Sequence, residues 1–306
     1  MKDEKSLQVM DCQSFRITVA KNAGSCFGVN RALKCVYAAT GDGPLFTFGP
    51  LIHNPRVIQK LADAGVHSLS EDEINALPSA SHIVLRAHGT APQVVEALKQ
   101  KGFELIDATC PFVKKAQEAA ASFASKNLEI VITGEEGHPE IESLLGFAPR
   151  AHVVGNSDEA DKLISALRER GAQKEIGLLS QTTQSKEFFS QVERALKEAG
   201  FEVEVANTIC EATKNRQADA YKLAKETDVM LVLGGRNSAN TTRLAELCAQ
   251  IVPTYHIESP AEITSEMIRE LQERAQHIGI TAGASTPASQ IQELVDYLNS
   301  SIKRIE

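Results

Sequence analysis

The stretch GFELIDATCPFVKKAQEAAASF, residues 102–123, places a cysteine between a strand and a helix. The residues before Cys110 have the short apolar character of a buried strand, and those after it have helical periodicity, with Pro111 suited to the first helical turn. Free N–H groups at the start of a helix favour a thiolate over a thiol. Cys110 is therefore a candidate metal ligand or nucleophile, although a single cysteine is more often only a small buried apolar residue.

The same pattern occurs twice more in the chain. RITVAKNAGSCFGVNRALKCV (16–36) carries Cys26, and VEVANTICEATKNRQADAYKL (203–223) carries Cys210. The intervals from Cys26 to Cys110 and from there to Cys210 are 84 and 100 residues, so each could hold one small α/β unit. Three units meeting around a common centre would bring the three thiols together. The remaining cysteines lack this context and are interpreted as structural or incidental: Cys12, Cys35 and Cys248.

Short apolar strands alternate with helical stretches along the chain, which predicts an α/β protein with mainly parallel sheets. The expected strands are FRITVA, PLFTFG, HIVLRA, FELIDA, EIVITG, AHVVG, IGLLSQ, FEVEVA, VMLVLGG and IGITAGA. The predicted organisation is three small α/β domains at 27–109, 110–207 and 208–299, with an N-terminal strand at 15–26 associated with the third and a polar leader at 1–14. In open sheets of this type, ligands gather beyond the carboxyl ends of the strands.

Charge and hydropathy limit the classes of partner. The formal net charge is −8 and there is no Lys/Arg-rich run, so nucleic acid is not an expected partner. The first residues lack the apolar run of a signal peptide, and no apolar segment approaches the ~20 residues that span a bilayer. We therefore expect a cytoplasmic protein without membrane contact, in which the six cysteines stay reduced.

Three cysteines from distant segments fit a metal site better than an acyl-transfer site, which needs one thiol and a base. Zinc is possible, but structural zinc sites usually have four ligands and often a C-x₂₋₄-C spacing that is absent here. An iron–sulfur cluster suits thiolates backed by helix N–H groups. With only three cysteines, a cubane would keep one iron free of protein sulfur, and that iron could act as a Lewis acid on a substrate oxygen.

Three of the eight histidines lie in turns that follow strands: His53, His88 and His138. One such histidine is usually structural, whereas three suggest a shared cavity in which protonated imidazoles neutralise a diphosphate. The other five have less distinctive contexts and are interpreted as structural or exposed: His67, His82, His152, His256 and His277.

Two further turns resemble anion-binding arrangements. LVLGGRNSANTTRL (231–244) runs from strand to helix with Ser238 and Asn240 near the helix start, and ITAGASTPAS (280–289) repeats the scheme with Ser285. Both are equally natural as ordinary helix caps.

Glu140, in a turn just after His138, is a candidate proton donor, and Thr182 could bridge it to a substrate hydroxyl or cap the next helix.

Taken together, nine ordered motifs resemble the LytB/IspH family of 4-hydroxy-3-methylbut-2-enyl diphosphate reductases. The motifs span about Arg16 to Leu298: GSCFGVNRA, IHNP, AHG, DATCP, GHPE, QTT, CEATKNRQ, GGRNSANTTRL and TAGAS. The resemblance implies three α/β domains in pseudo-threefold arrangement around one [4Fe-4S] cluster per chain. It also implies an oxidoreductase that converts (E)-4-hydroxy-3-methylbut-2-enyl diphosphate to isopentenyl and dimethylallyl diphosphate, the last step of the non-mevalonate isoprenoid pathway, with an electron donor such as ferredoxin or flavodoxin.

The resemblance also implies roles for individual residues. Cys26, Cys110 and Cys210 would hold the cluster, whose fourth iron would bind the allylic hydroxyl. The diphosphate would be surrounded by His53, His88, Ser238, Ala239, Asn240 and Ser285. His138, Glu140 and Thr182 would bind and act at the hydroxyl end, with Glu140 in the proton relay.

The sequence departs from the family pattern at two positions in these motifs. Ala239 stands where many relatives have Ser or Asn, so one side-chain phosphate contact is lost while its backbone N–H remains. Lys214 occupies a position associated with a second threonine. The two competing hypotheses are an iron–sulfur sensor without catalysis, which needs neither the diphosphate turns nor Glu140, and a zinc hydrolase using the same ligands.

Overall fold

The computed structural model describes residues 9–11, 16–41, 44–171 and 175–302. Cys12 and most of the predicted polar leader lie outside these residues. The strands are β1 Val9–Asp11, β2 Arg16–Val19, β3 Leu45–Phe48, β4 Val66–Leu69, β5 His82–Leu85, β6 Glu104–Asp107, β7 Glu129–Thr133, β8 His152–Val154, β9 Glu175–Ser180, β10 Glu202–Val205, β11 Val229–Leu233, β12 Thr254–Ile257 and β13 His277–Ala282.

Helices connect the strands throughout. They are α1 Phe27–Ala39, α2 Pro55–Asp63, α3 Glu71–Asn75, α4 Pro92–Gln100, α5 Pro111–Ser125, α6 Pro139–Phe147, α7 Ser157–Glu169, α8 Lys186–Glu198, α9 Glu211–Ala224, α10 Ala239–Ala249, α11 Ser265–Arg274 and α12 Ala288–Ile302, with a 3₁₀ turn at Pro260–Glu262. In the described part of the chain, each helix is too short or too polar to cross a bilayer.

The strands form three sheets with one repeated order. The orders are β4-β3-β5-β6, β8-β7-β9-β10 and β12-β11-β13-β2-β1. All pairings are parallel except that of β1, which lies antiparallel to β2 at an edge. Each sheet contains three strands that are consecutive in the chain, arranged in the order second, first, third. The next strand in each sheet is the one that leads to a cysteine: β6, β10 or β2. The last sheet takes that strand, β2, from the start of the chain.

The fold class predicted from sequence is confirmed, since all ten expected strands are present in parallel sheets. Sequence reasoning missed β1, β4 and β12. The last two lie at sheet edges, and their sequences, VHSL and TYHI, carry a histidine and are only partly buried. An edge strand needs no continuous apolar run, so the periodicity that identifies a central strand is weak there.

The burial of β11 explains why the central strands are apolar throughout. Val229, Leu231 and Leu233 pack into a core with α11 and α12, whereas Met230 and Val232 pack into a second core with α9 and α10. Successive side chains of a strand point to opposite faces, and here helices cover both faces. The strand is therefore rigidly held, and it delivers the turn that follows it to a fixed position.

The chain divides into two compact units. One contains the described residues up to Phe27, the segment His53–Pro55 and the residues from Glu211 onward, and the other contains Gly28–Ile52 and Arg56–Cys210. The first unit holds the sheet that contains β11, and the second holds the other two sheets. The domain boundaries predicted at 27–109, 110–207 and 208–299 stay a prediction.

Candidate active site

The three repeated cysteines share one backbone arrangement. In each case the cysteine N–H donates to a carbonyl in the turn that follows the adjacent parallel strand of the same sheet. The bonds run from Cys26 to Ala284 (3.0 Å), from Cys110 to Ala87 (3.0 Å) and from Cys210 to Thr182 (3.1 Å). Each acceptor is, or directly precedes, a residue that the sequence analysis assigned to substrate binding. A cysteine turn and a turn predicted to bind substrate are therefore bonded to each other three times.

The turn that carries Cys110 is held by a network of polar contacts. Cys110 is the N-cap residue of α5, with extended backbone angles, as the sequence predicted. Asp107 accepts the N–H of Thr109 (2.9 Å) and pairs with Lys114 (2.5 Å). Arg31 donates to the carbonyl of Thr109 (3.0 Å). Burial alone would raise the pKa of Asp107, but the hydrogen bonds from Lys114 and Thr109 outweigh burial and hold that pKa below its ordinary value.

The turn that leads to Cys26 is fixed by a buried cation. Arg216, on α9, is 3% exposed, and its Nη1 donates to the carbonyls of Asn22 and Gly24, the latter at 2.7 Å. A buried guanidinium needs several acceptors to offset its lost hydration, and backbone carbonyls of an irregular turn supply them. The sequence analysis did not single out Arg216. The only signal in the sequence is its place six residues after Cys210.

Among the described residues of the second unit, Glu140 is the one buried carboxylate. Its side chain is buried, and the residue is 1% exposed. One oxygen accepts the N–H of Thr182 (2.6 Å) and the other accepts the Thr182 hydroxyl (2.8 Å). Because the Thr182 carbonyl in turn accepts the N–H of Cys210, a continuous chain of hydrogen bonds joins this carboxylate to a cysteine turn. Glu140 lies in the first turn of α6, whereas the sequence analysis placed it in a turn that follows His138.

His138 is the N-cap residue of α6. Its Nδ1 accepts the N–H of Glu140 (3.1 Å), so the ring proton lies on Nε2. The ring of His88 lies edge-on to that of His138, with centroids 5.5 Å apart. The structure thus brings together four of the predicted site residues in the second unit: His88, His138, Glu140 and Thr182.

The turn that carries His88 depends on a glycine. Gly89 has φ of +81°, and a Cβ there would lie 2.4 Å from the Gln117 amide nitrogen and 2.8 Å from Ser143 Oγ. Those two side chains are hydrogen-bonded to each other (2.7 Å) beneath the turn. On its other side the turn is anchored by Arg86, which pairs with Glu142 (3.1 Å). Burial lowers the pKa of Arg86, and the ion pair opposes that shift.

Gln181 is a further residue that sequence reasoning missed. It is fully buried, its amide oxygen accepts the N–H of Glu135 (3.0 Å), and its amide nitrogen donates to the Thr183 hydroxyl (2.9 Å). The side chain therefore connects the loop before His138 to the turn that contains Thr182. Its position within QTT was the available signal, but glutamine in a turn has no distinctive pattern.

In the first unit, Asn240 presents a buried amide without a hydrogen-bond partner among the described residues. The residue is 4% exposed, and neither Oδ1 nor Nδ2 is bonded there. Asn240 is the second residue of α10, Ala239 is the first, and Ser238 is the N-cap. An unsatisfied buried amide is costly, so the arrangement fits a group that supplies hydrogen-bond acceptors to the Asn240 Nδ2–H at this helix start, such as a phosphate.

The second predicted phosphate turn lies beside the first. The Ser285 hydroxyl donates to the carbonyl of His53 (2.7 Å), and the Asn54 amide donates to the carbonyl of Ser285 (2.9 Å). Gly283 N–H donates to the Leu233 carbonyl (2.9 Å), so the turn after β13 is bonded to the last residue of β11. The first unit therefore groups all its predicted diphosphate residues: His53, Ser238, Ala239, Asn240 and Ser285.

Among the described residues, the cysteines and histidines interpreted as structural or incidental lie in such settings, while Cys12 is outside the described residues. Cys35 lies in α1, and Cys248 is buried within α10, where burial raises its pKa to about 11. Of the five remaining histidines, His67 is exposed and the other four bond to neighbouring groups. The bonded pairs are His82 with Glu104, His152 with Glu129, His256 with the Gly234 carbonyl, and His277 with Thr18.

The donor set is consistent with a thiolate-ligated cofactor. Each of the three repeated cysteines is partly exposed and free of disulfides, and each starts or directly precedes a helix. Their backbone N–H groups are bonded to carbonyls, which holds the three turns in the same conformation. Soft thiolates of this kind suit iron–sulfur clusters or zinc.

A family model described as LytB protein matches residues 17–299. The chain belongs to the LytB family. This family is known to bind an iron–sulfur cluster. The residues matched by the family model include parts of both compact units and all three repeated cysteines. The resemblance drawn from the nine motifs is thereby confirmed.

Relatives of this chain have names that agree with the family. A 4-hydroxy-3-methylbut-2-enyl diphosphate reductase of Pelobacter propionicus is 42% identical, covering 92% of this chain and 96% of the relative. One similar solved structure is that of (E)-4-hydroxy-3-methyl-but-2-enyl diphosphate reductase, described as the terminal enzyme of the non-mevalonate pathway. It is 35% identical to this LytB chain, with a TM-score of 0.66. The match covers 93% of this chain and 99% of the solved one. The Plasmodium falciparum reductase structure is 27% identical with a TM-score of 0.81, covering 92% and 86%.

Proposed function

We infer that this LytB protein reductively dehydroxylates (E)-4-hydroxy-3-methylbut-2-enyl diphosphate to isopentenyl diphosphate and dimethylallyl diphosphate, the last step of the non-mevalonate pathway. Two electrons and two protons enter, the C–O bond to the allylic hydroxyl breaks, a C–H bond forms, and water leaves. The observation that carries this proposal is the buried Glu140 carboxylate, held by both donors of Thr182 and linked through Thr182 to the Cys210 turn.

Cys26, Cys110 and Cys210 would hold one [4Fe-4S] cluster per chain. When bound, such a cluster supplies electrons and a Lewis-acidic iron that has no protein thiolate. The family is known to bind an iron–sulfur cluster, and the matching backbone bonds of the three cysteine turns support this use of the three thiols. The repeated hydrogen bond from cysteine N–H to a substrate-binding turn would keep the sulfurs and the substrate contacts in register.

Glu140 would move a proton at the hydroxyl end of the substrate. Its two oxygens are oriented by Thr182, whose hydroxyl oxygen retains lone pairs that can accept a hydrogen bond from the substrate hydroxyl. His138 presents an Nε2–H donor, since its Nδ1 is occupied by the Glu140 N–H. Because Glu140 is buried, bulk water has little access to its carboxylate, and proton delivery would depend on these side chains.

Asn240, Ser238, Ser285 and the start of α10 would hold the diphosphate, together with His53 and His88. The unsatisfied Asn240 Nδ2–H would donate to phosphate oxygens. Ala239 contributes only its backbone N–H, so this turn makes one side-chain contact fewer than a turn with serine there. An electron carrier such as ferredoxin or flavodoxin would supply the electrons. We propose that the reaction takes place in the cytoplasm.

The direct test of the relay is Glu140→Gln, with the exposed Glu136→Gln in the preceding loop as the matched control. We expect kcat with dithionite to fall by at least about a hundredfold in the first variant, because a neutral amide cannot carry the proton. The control should retain normal kcat. Iron and labile sulfide per chain should be unchanged in both, because neither residue is a proposed ligand.

Two results would contradict the proposal. Near-normal turnover in Glu140→Gln would remove this residue from the proton relay. A colourless wild-type protein that contains zinc and no labile sulfide after anaerobic purification would favour the hydrolase hypothesis over the reductase.

A further inference from the structure

The sequence around Cys26 has an unusual charge distribution. Residues 12–41 contain no aspartate or glutamate, although the whole chain has a net charge of −8. The same stretch contains four cationic residues: Arg16, Lys21, Arg31 and Lys34. A locally cationic segment in an acidic protein attracts anionic partners to one place and disfavours their approach elsewhere.

Helix α1 presents much of this segment to solvent. Phe27, Asn30, Lys34 and Tyr37 are exposed and follow a spacing of three, four and three residues, so they share one side of the helix. The opposite side is buried through residues such as Val29, Ala32 and Val36. We call the side formed by Phe27, Asn30, Lys34 and Tyr37 the cationic α1 face: Lys34 is its one charged residue, Arg31 lies one turn before Lys34, and α1 contains no acidic residue. Lys34 is not paired with any carboxylate of the described residues.

Two large aromatic side chains lie on this face. Phe27 is 63% exposed and Tyr37 is 53% exposed. Of the described residues, only two other large hydrophobic side chains are classed as exposed, and one of them, Tyr221, is covered by the ammonium group of Lys225 at 4.1 Å from the ring centroid. Exposed aromatic residues beside cations are typical of protein–protein interfaces.

The face also lies close to the proposed redox centre along the chain. Helix α1 begins directly after Cys26. Arg31, one helical turn later, donates to the carbonyl of Thr109, the residue before Cys110. The nearby carboxylate of Asp107 is paired with Lys114, so it leaves the cationic character of the helix largely intact. One helix is thus attached to two cysteine turns.

We propose that the cationic α1 face is the docking surface for an acidic one-electron carrier protein that reduces the cysteine-held centre. This inference rests on the proposed function. Each carrier would be oxidised by one electron, so two carriers must dock in succession for each substrate molecule that loses its hydroxyl as water. Charge attraction would raise the association rate, and the exposed aromatics would supply apolar contact area.

The test compares two electron sources in the anaerobically purified holoenzyme. Lys34→Glu reverses a charge on the face, Tyr37→Ser removes an aromatic contact, and Lys162→Glu, an exposed lysine on α7, is the matched control. We expect the KM for a reduced acidic ferredoxin to rise about tenfold in Lys34→Glu, severalfold in Tyr37→Ser, and little in Lys162→Glu. Turnover with saturating dithionite should stay unchanged in all three variants.

Ionic strength provides a second readout. Added NaCl should raise the ferredoxin KM of the wild type more steeply than that of Lys34→Glu, because salt screens exposed charges. An unchanged ferredoxin KM in Lys34→Glu, or an equal rise in Lys162→Glu, would overturn the docking surface. The docking surface would also be overturned if sedimentation showed that the wild type is an oligomer and that Lys34→Glu dissociates it, because the face would then bind a second copy of this chain. Failure of the wild type with dithionite would contradict the proposed function instead.

Discussion

At the scale of single residues, two buried asparagines show how the first unit separates binding from stability. Asn240 and Asn54 are similarly buried, at 4% and 3% exposed. The Asn54 amide donates to the carbonyl of Ser285 (2.9 Å) and to Gln290 (3.3 Å), whereas the Asn240 amide has no partner in the described residues. A buried amide without partners destabilises the ligand-free protein, and we attribute its presence to the proposed binding of diphosphate.

Replacing each asparagine by leucine should therefore have opposite effects on stability. We expect Asn240→Leu to raise the free energy of unfolding of the substrate-free protein by about 1 kcal/mol, and Asn54→Leu to lower it by about 2 kcal/mol. Inorganic diphosphate should raise the melting temperature of the wild type and fail to do so for Asn240→Leu. Destabilisation of similar size in both variants would show that Asn240 is bonded like its counterpart.

At the scale of elements, the segment from β6 to α5 shows how a short turn is made rigid. Asp107 ends the strand, caps the Thr109 N–H and pairs with Lys114 on the helix. These contacts fix the backbone on both sides of Cys110. Because the ionised form of Asp107 makes them, its pKa is held below the ordinary value in the folded protein.

The Asp107 contacts should stabilise the fold only while this carboxyl is ionised. A folded-state pKa below the unfolded value of about 3.9 means that the stabilisation is present above that pH and is lost as pH falls through the folded-state pKa. We expect Asp107→Asn to reduce the free energy of unfolding by about 1 kcal/mol at pH 7, a modest value because the ion pair is partly exposed. Denaturant titrations should show the difference shrinking below pH 4, and a constant difference down to pH 2 would contradict this account.

At the scale of the whole molecule, the three sheets repeat one strand order, and in each the fourth strand of that order leads to a cysteine; the third sheet adds β1 beyond it. The sequence predicted this repeat because a cysteine between an apolar strand and a helix is a local pattern that spacing alone can reveal. The central strands were predictable for the same reason, as with the fully buried VMLVL of β11.

Other features depend on contacts between residues far apart in sequence. Arg216 reaches carbonyls of the Cys26 turn, and Gln181 bonds to Glu135, yet neither pairing leaves a periodic signal. The edge strands β4 and β12 were missed because partial burial needs no apolar run. The resemblance of nine motifs gave the predicted roles of Glu140 and Thr182 greater support than local pattern could, and the structure adds the two hydrogen bonds between them.

The most direct test of the central claim is a reductase assay on the anaerobically purified wild-type protein with (E)-4-hydroxy-3-methylbut-2-enyl diphosphate and dithionite. The account predicts that substrate is consumed at two electrons per molecule, with isopentenyl and dimethylallyl diphosphate as the only organic products. Cluster-containing protein that leaves the substrate unchanged, or that releases diphosphate by hydrolysis, would contradict it.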